Sequence, residues 1–271
     1  MYASRLFAFV VVAAIALPQF ASAADLPRMT SKAPVMVPVT GWTGWYAGLN
    51  AGYGWGNEAV AVTGDEFLMA IGIPNGVVPA SIAKNPGGFI AGGQIGYNRQ
   101  INQWVLGVEA DLQWSDIKRR QSIATAVPGG FPPFLTRDEQ KLEWLGTLRG
   151  RVGYVLAPQW LIYGTAGLAY GGVSLSGYSA LNHAVFPICT GSYCGAGSTS
   201  STRVGWTAGA GVEYALTRPW SLKAEYLYYD LGTVSLFMPD LLGRVPATFQ
   251  IHTVDFTGHI ARGGVNYKFG G

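Results

Sequence analysis

Three times in this chain a tyrosine closes one alternating run and, after a short gap, a tryptophan opens the next. The pairs are Tyr97 and Trp104, Tyr154 and Trp160, and Tyr214 and Trp220. The gaps, Asn98–Gln103, Val155–Gln159 and Ala215–Pro219, are polar or carry proline. The closing tyrosine recurs at the end, in Gly264-Val265-Asn266-Tyr267, with Phe269 just beyond. Segments of about ten residues, bounded by tyrosine and tryptophan, suit a membrane β-barrel with amphipathic aromatics at headgroup level. The repeat therefore predicts antiparallel hairpins with their short turns on one side of a membrane.

Side chains alternate between the two faces of a strand. Counting outward from Trp104 gives Leu106, Val108, Ala110, Leu112 and Trp114; the other face carries Gly107, Glu109, Asp111 and Gln113. Backward from Tyr154, Val152, Leu148 and Trp144 share the aromatic face, while Arg151, Arg149 and Thr147 lie opposite. From Trp220, Leu222, Ala224, Tyr226 and Tyr228 alternate with Ser221, Lys223 and Glu225. From Tyr267, Val265 and Ala261 alternate with Asn266 and Arg262. No charged residue falls on the aromatic face of these runs. A soluble barrel would show the same alternation turned inside out. The wide aromatics at strand ends and the many glycines on the polar face favour an apolar exterior around a crowded polar lumen.

The pattern predicts an all-β fold, an eight-stranded antiparallel up-and-down transmembrane β-barrel. The expected strands are Trp45–Trp55, Gly88–Tyr97, Trp104–Trp114, Leu142–Tyr154, Trp160–Gly171, Arg203–Tyr214, Trp220–Asp230 and Gly258–Phe269. Short turns alternate with long connections at 56–87, 115–141, 172–202 and 231–257, the asymmetry of outer-membrane barrels. The long connections, rich in Gly, Pro and Ser, are expected to be four extracellular loops. An even strand count puts both termini in the periplasm. About ten residues at about 3.3 Å each, tilted about 45°, cover roughly 24 Å, the height of an apolar band.

The N-terminus fits export. Arg5 precedes the apolar run Leu6–Leu17, which is too short to span a bilayer as a helix. Ala21-Ser22-Ala23 is a cleavage-type sequence, so 1–23 reads as a signal peptide rather than an anchor. Residues 24–41, with Pro27, Pro34 and Pro38, read as a flexible periplasmic lead-in. The barrel follows over 42–269. Charged residues make up only 12% of the chain, and the formal net charge of +3 includes Arg5. That balance gives no basis for nucleic-acid binding. The two cysteines, Cys189 and Cys194, lie in a Gly/Ser-rich stretch. In an exported chain they read as one local disulfide, the alternative being two thiols.

Two terminal motifs add a resemblance. They are Gly41-Trp42-Thr43-Gly44-Trp45-Tyr46-Ala47-Gly48-Leu49-Asn50-Ala51-Gly52-Tyr53-Gly54-Trp55-Gly56 and His259-Ile260-Ala261-Arg262-Gly263-Gly264-Val265-Asn266-Tyr267-Lys268-Phe269. With the hairpin repeat between them, the chain resembles the small porin-like outer-membrane β-barrel proteins of rhizobia and related alpha-proteobacteria. The resemblance covers Gly41 to Phe269. It implies a bacterial outer-membrane location and insertion by the outer-membrane assembly machinery, which reads the terminal strand. It also implies roles in envelope integrity and surface antigenicity; some members are called porins and some bind haem. Members usually end on the aromatic residue, whereas Gly270-Gly271 follow Phe269 here.

The aromatic girdle is expected at Tyr97, Trp104, Tyr154, Trp160, Tyr214, Trp220, Tyr267 and Phe269. The lumen charges are expected at Glu109, Asp111, Arg149, Arg151, Lys223, Glu225 and Arg262, with Glu143, Glu213 and Lys268 on the same parity. Such charges make either a selectivity constriction or a mutually neutralised plug. The strand number favours the plug, because side chains fill an eight-stranded interior and buried charges must pair. Glu109 and Arg149 stand at equal heights on neighbouring strands, as do Glu225 and Arg262.

His183, His252, His259 and Asp255 form a thin set with no nucleophile motif, so no enzyme is predicted. The two cysteines lack a zinc spacing, and no cofactor or metal is predicted. Gly52-Tyr53-Gly54 and Gly209-Ala210-Gly211 precede no helix and are not phosphate loops. The expected partners are outer-membrane lipid and lipopolysaccharide, the latter at Lys118-Arg119-Arg120. A structural barrel with a largely plugged lumen is the leading functional reading. A passive porin and a surface-loop binder, adhesin or haem-binding, are the alternatives.

Overall fold

The computed structural model describes residues 41–56, 58–66, 68–127, 131–181, 193–241 and 248–269. The expectations on 1–40, His183, Cys189 and Gly270-Gly271 lie outside the described residues. The strands are β1 (Gly44–Trp55), β2 (Glu58–Gly64), β3 (Ser81–Lys84), β4 (Gly87–Ile101), β5 (Trp104–Val127), β6 (Phe131–Ala157), β7 (Trp160–Leu181), β8 (Cys194–Thr217), β9 (Trp220–Pro239) and β10 (Phe249–Phe269). A single π-helical turn spans Leu68–Gly72.

Eight strands close a ring in the order β1-β4-β5-β6-β7-β8-β9-β10, and β1 pairs back onto β10. All pairings are antiparallel; Trp45 faces Phe269 at one end of the closing seam and Trp55 faces His259 at the other. Two rings of aromatics mark the outer wall. At the short-turn end, neighbouring strands present Trp45 with Tyr97, Trp104 with Tyr154, Trp160 with Tyr214, and Trp220 with Tyr267, at ring-centroid distances of 4.7–5.3 Å. The upper ring holds Tyr53 with Phe89, Trp144 with Tyr170, and Trp206 with Tyr228. Between the rings Leu49, Ile95, Leu106, Val108, Leu112, Leu148, Val152 and Leu168 are all exposed, Leu49 to 73%. Patches of this extent on a wall are not left to water.

Above the upper ring the structure departs from the expected loops. Much of the long connections is strand: β5 reaches Val127, β6 begins at Phe131 and β8 at Cys194. The first connection holds the β2–β3 hairpin, which extends the sheet from the upper part of β10. The reason is a change of partner for each face. Here the outward residues are polar, as at Lys118, Arg120 and Ser122, while the inward residues are apolar, as at Val234, Leu236 and Met238. The wall faces water, so the apolar-out pattern that marked the lower strands ends, and sequence reasoning stopped the strands there.

The closed ring also stops at this level. β1 ends at Trp55, the β4–β5 ladder ends at Gly87 opposite Lys118, and the β8–β9 ladder ends at Trp206 opposite Asp230. What remains are two four-stranded sheets, β5-β6-β7-β8 and β9-β10-β2-β3. They share an apolar core that includes Val60, Val62, Ile82, Phe134, Leu142, Val173, Leu175, Leu236, Met238, Val254 and Phe256. Gly177 of β7 is needed at this contact, because a Cβ there would lie 2.6 Å from the Met238 sulfur.

Candidate functional site

Inside the ring, between the two aromatic levels, the inward parity collects four carboxylates and four cations. Glu109, Asp111, Glu213 and Glu225 face Arg149, Arg151, Lys223 and Arg262, and all eight are buried. Arg149 sits at the centre. Its guanidinium donates to Glu109 (2.5 Å), Asp111 (2.8 Å), Glu225 (3.1 Å) and the Thr147 hydroxyl (2.9 Å). Arg262 donates to Glu225 through Nε (2.7 Å) and to Asp111 (2.9 Å). Lys223 reaches across to Glu109 (2.9 Å). Glu109 is directly opposite Arg149 on the β5–β6 ladder, and Glu225 opposite Arg262 on β9–β10.

A second cluster lies toward the short turns. Arg151 donates to Glu213 (2.9 Å) and to the Tyr46 hydroxyl (3.1 Å), and Tyr46 donates to Glu109 (2.7 Å). The Arg151 guanidinium also lies 3.9 Å from the Tyr163 ring centroid, a cation–π contact. Tyr163 donates to Glu225 (3.0 Å). Asn266 and Ser221 donate to Glu213 (3.0 and 2.6 Å), and Asn50 donates to Gln94 (2.9 Å). Every strand of the ring thus contributes to one hydrogen-bonded layer. Space for the two tyrosines comes from glycines: a Cβ at Gly96 would sit 2.4 Å from the Tyr46 hydroxyl, and one at Gly211 2.5 Å from that of Tyr163.

Apolar side chains bound this layer on both sides. Toward the short turns, Trp42 packs with Val105, Leu161, Tyr163 and Ala215. The Trp42 amide donates to Gln100 (2.8 Å), which holds the chain in the mouth of the ring. Above lies the core of the two upper sheets.

Two residues on the lumen parity, Glu143 and Lys268, lie outside this layer. Glu143 is exposed and accepts from Ser174 (3.3 Å), contrary to its expected place in the lumen. A β-bulge between Leu142 and Trp144 shifts the register, so inward positions run Leu142, Leu145, Thr147. A bulge flips every side chain beyond it, and nothing in a strict count of two announces it. Lys268 stands half-buried at the mouth and donates to the Gly41 carbonyl. Tyr46 is a member that sequence reasoning missed. Its signal was available, since it follows the outward Trp45.

The two described histidines do not converge. His252 is fully buried in the upper interior, bonded to Asp138 (2.7 Å) and Gln250 (3.1 Å). His259 lies on the outer wall, bonded to the Tyr226 hydroxyl (2.6 Å) and stacked on Trp55. Asp255 is exposed and accepts from Thr233 (2.5 Å). Above the upper ring Arg120 donates to Glu139 (2.7 Å), and that bond holds the Glu139 carboxyl below its ordinary range. Among the described residues no group of three or more His, Cys, Asp or Glu side chains is placed to hold a metal.

Residues 7–269 match the family model described as the outer membrane protein beta-barrel domain. The chain is 39% identical over 254 residues to the 31 kDa outer-membrane immunogenic protein of Brucella melitensis, covering 92% of this chain and 93% of that one. It is 31% identical over 265 residues to the 25 kDa outer-membrane immunogenic protein of the same organism, covering 96% and 97%. Over 141 residues it is 38% identical to the 22 kDa outer membrane protein of Rhizobium leguminosarum, covering 51% and 52%.

Proposed function

Because this chain belongs to the outer membrane protein β-barrel family and lies in the bacterial outer membrane, we propose that it is a structural barrel with a sealed lumen that supports envelope integrity. The observation that carries this reading is the charge layer. Four acids and four bases reach inward from the ring and bond to one another. Paired charges leave no single-sign field to draw ions through, and separating them would expose unpaired charge at high cost. The apolar packing at Trp42 below and around Leu142, Val173 and Phe256 above supports closure on both sides.

The short turns face the periplasm, and the upper sheets project from the cell. That orientation puts Lys118, Arg119 and Arg120 just above the upper aromatic ring, where cations meet lipopolysaccharide phosphates. It also exposes the upper sheets to antibodies, in keeping with the immunogenic character that the names of the Brucella relatives state. The terminal strand through Phe269 is what the assembly machinery would read. Catalysis has no part in this reading.

Reconstituted protein is expected to show no large, stable conductance in planar bilayers, and liposomes carrying it should not take up neutral sugars. Reproducible sugar uptake by a verified monomer would replace the sealed barrel with a passive porin.

The cysteines give a separate expectation. Removal of 1–23 and closure of a Cys189–Cys194 bridge should leave the unreduced mature chain, starting at Ala24, short by two hydrogens on the order of 2 Da in mass spectrometry. Such a short bridged loop should add little to global stability. Two thiols that alkylate in the native, untreated protein would rule the bridge out.

A further inference from the structure

We infer that the upper half of β8, Ala196–Gly205, is a docking edge for an extended segment of another polypeptide, which would add to the sheet as a strand. The β8–β9 ladder ends at Trp206 and Asp230. β8 continues to Cys194 on its β7 ladder, without a register shift. β9 turns away. Gly232, with φ of 76°, takes a left-handed conformation at this point, and its N–H is held by the Asp230 carboxylate at 2.8 Å. The burial of β9 changes phase there, from Leu227, Tyr229 and Leu231 inward to Val234, Leu236 and Met238 inward. Beyond the turn β9 packs against the inner face of β8: a Cβ at Gly197 would lie 2.6 Å from the Phe237 carbonyl oxygen and 3.1 Å from Met238. Among the described residues backbone pairing on this side of β8 resumes just past the end of β9, in the isolated bridge between Gly195 and Asp240 and the bond from the Leu241 N–H to the Cys194 carbonyl (2.7 Å).

The Ala215 N–H donates to the Gln159 carbonyl on the β7 side (2.9 Å). Alternate residues of an antiparallel strand point both backbone groups the same way. Odd-numbered residues of β8 therefore bond to β7, and Ala196, Ser198, Ser200, Thr202 and Val204, which have no strand partner on the other side among the described residues, offer N–H and C=O there. The side chains of Ser198, Ser200, Thr202 and Val204 face solvent, Val204 being 70% exposed, and Ala196 is half-buried. Even the inward row at Thr199, Ser201 and Arg203 is only half-buried, whereas Val173 and Leu175 beside it on β7 are buried.

The other open edges of the two upper sheets are guarded, as native edges are. β5 above Lys118 carries Arg119 and Arg120; β3 is only four residues long; β9 ends on Pro239. The β8 edge has no proline, and its one charge, Arg203, is turned inward onto the Thr233 carbonyl. A row of N–H and C=O groups at strand spacing is complementary to another strand. The small residues of 196–202, all Ala, Gly, Ser or Thr, would admit it without steric selection. Recognition would run through the main chain, so the fitting partner is an extended, β-prone segment and not a sugar or a lipid.

The test uses folded full-length protein and a short capped peptide of alternating threonine and valine with a lysine at each end. Amide hydrogen exchange should slow at least about tenfold at Ser198, Ser200 and Thr202 when the peptide is added, and not at Thr199 or Ser201. The same peptide N-methylated on alternate residues should have no effect. Ser200→Pro removes one edge N–H, leaves the β7 ladder bonded and should abolish the protection; Ser200→Ala should retain it. No slowing at millimolar peptide would overturn the inference, and so would equal slowing by the N-methylated peptide. Slowing that grows with protein concentration in the absence of peptide would place a second copy of this chain on the edge and overturn the heterologous partner. None of these outcomes depends on whether the lumen conducts.

Discussion

Replacing Arg149 with methionine should lower the stability of the folded barrel by about 3–5 kcal/mol. The side chain is fully buried and is shared by Glu109, Asp111 and Glu225. Methionine fills much of the same volume, so the loss comes from charge and not from a cavity. Three carboxylates would remain with Lys223 and Arg262 as their nearest cations. Removing one partner of a buried ion network is costly because the other partners stay desolvated without compensation. Urea unfolding of the refolded barrel in lipid vesicles, followed by tryptophan fluorescence, measures the loss. Arg120, whose side chain is exposed and bonded to Glu139, provides the comparison, and its methionine variant should unfold like the parent. If the two variants match, the lumen layer is wet and loosely coupled, and the sealed reading fails with it.

Val108→Arg should cost about 2–4 kcal/mol in the same assay, while Ala124→Arg on the same strand costs nothing measurable. Both positions point outward from β5 and both are exposed. Val108 lies between the aromatic rings, near the middle of the apolar band; Ala124 stands well above the upper ring, opposite Leu135. The difference is therefore one of solvent. A guanidinium at mid-bilayer must snorkel or draw water inward, and one above the membrane is already hydrated. Equal stability of the two variants would mean that the face carrying Leu106, Val108 and Leu112 does not meet hydrocarbon.

The sequence by itself determined the ring. Alternation is a two-valued property of neighbouring residues, and the girdle aromatics fix which value points outward. The hairpin turns are short, so the heights of Glu109 and Arg149, or of Glu225 and Arg262, follow from counting along adjacent strands. Those facts are local. The contacts of Arg149 with Glu225, and of Lys223 with Glu109, join strands far apart around the ring. They depend on shear and on side-chain reach across a closed cross-section, which no single hairpin encodes. Tertiary structure also decided where alternation breaks. The bulge at Leu142–Trp144 sends Glu143 outward, and Gly232 turns β9 over the inner face of β8. Above the upper ring the outer wall meets water. There the apolar residues of Val173, Leu236 and Phe256 are buried between two sheets, because burial against each other is the only way left to shield them.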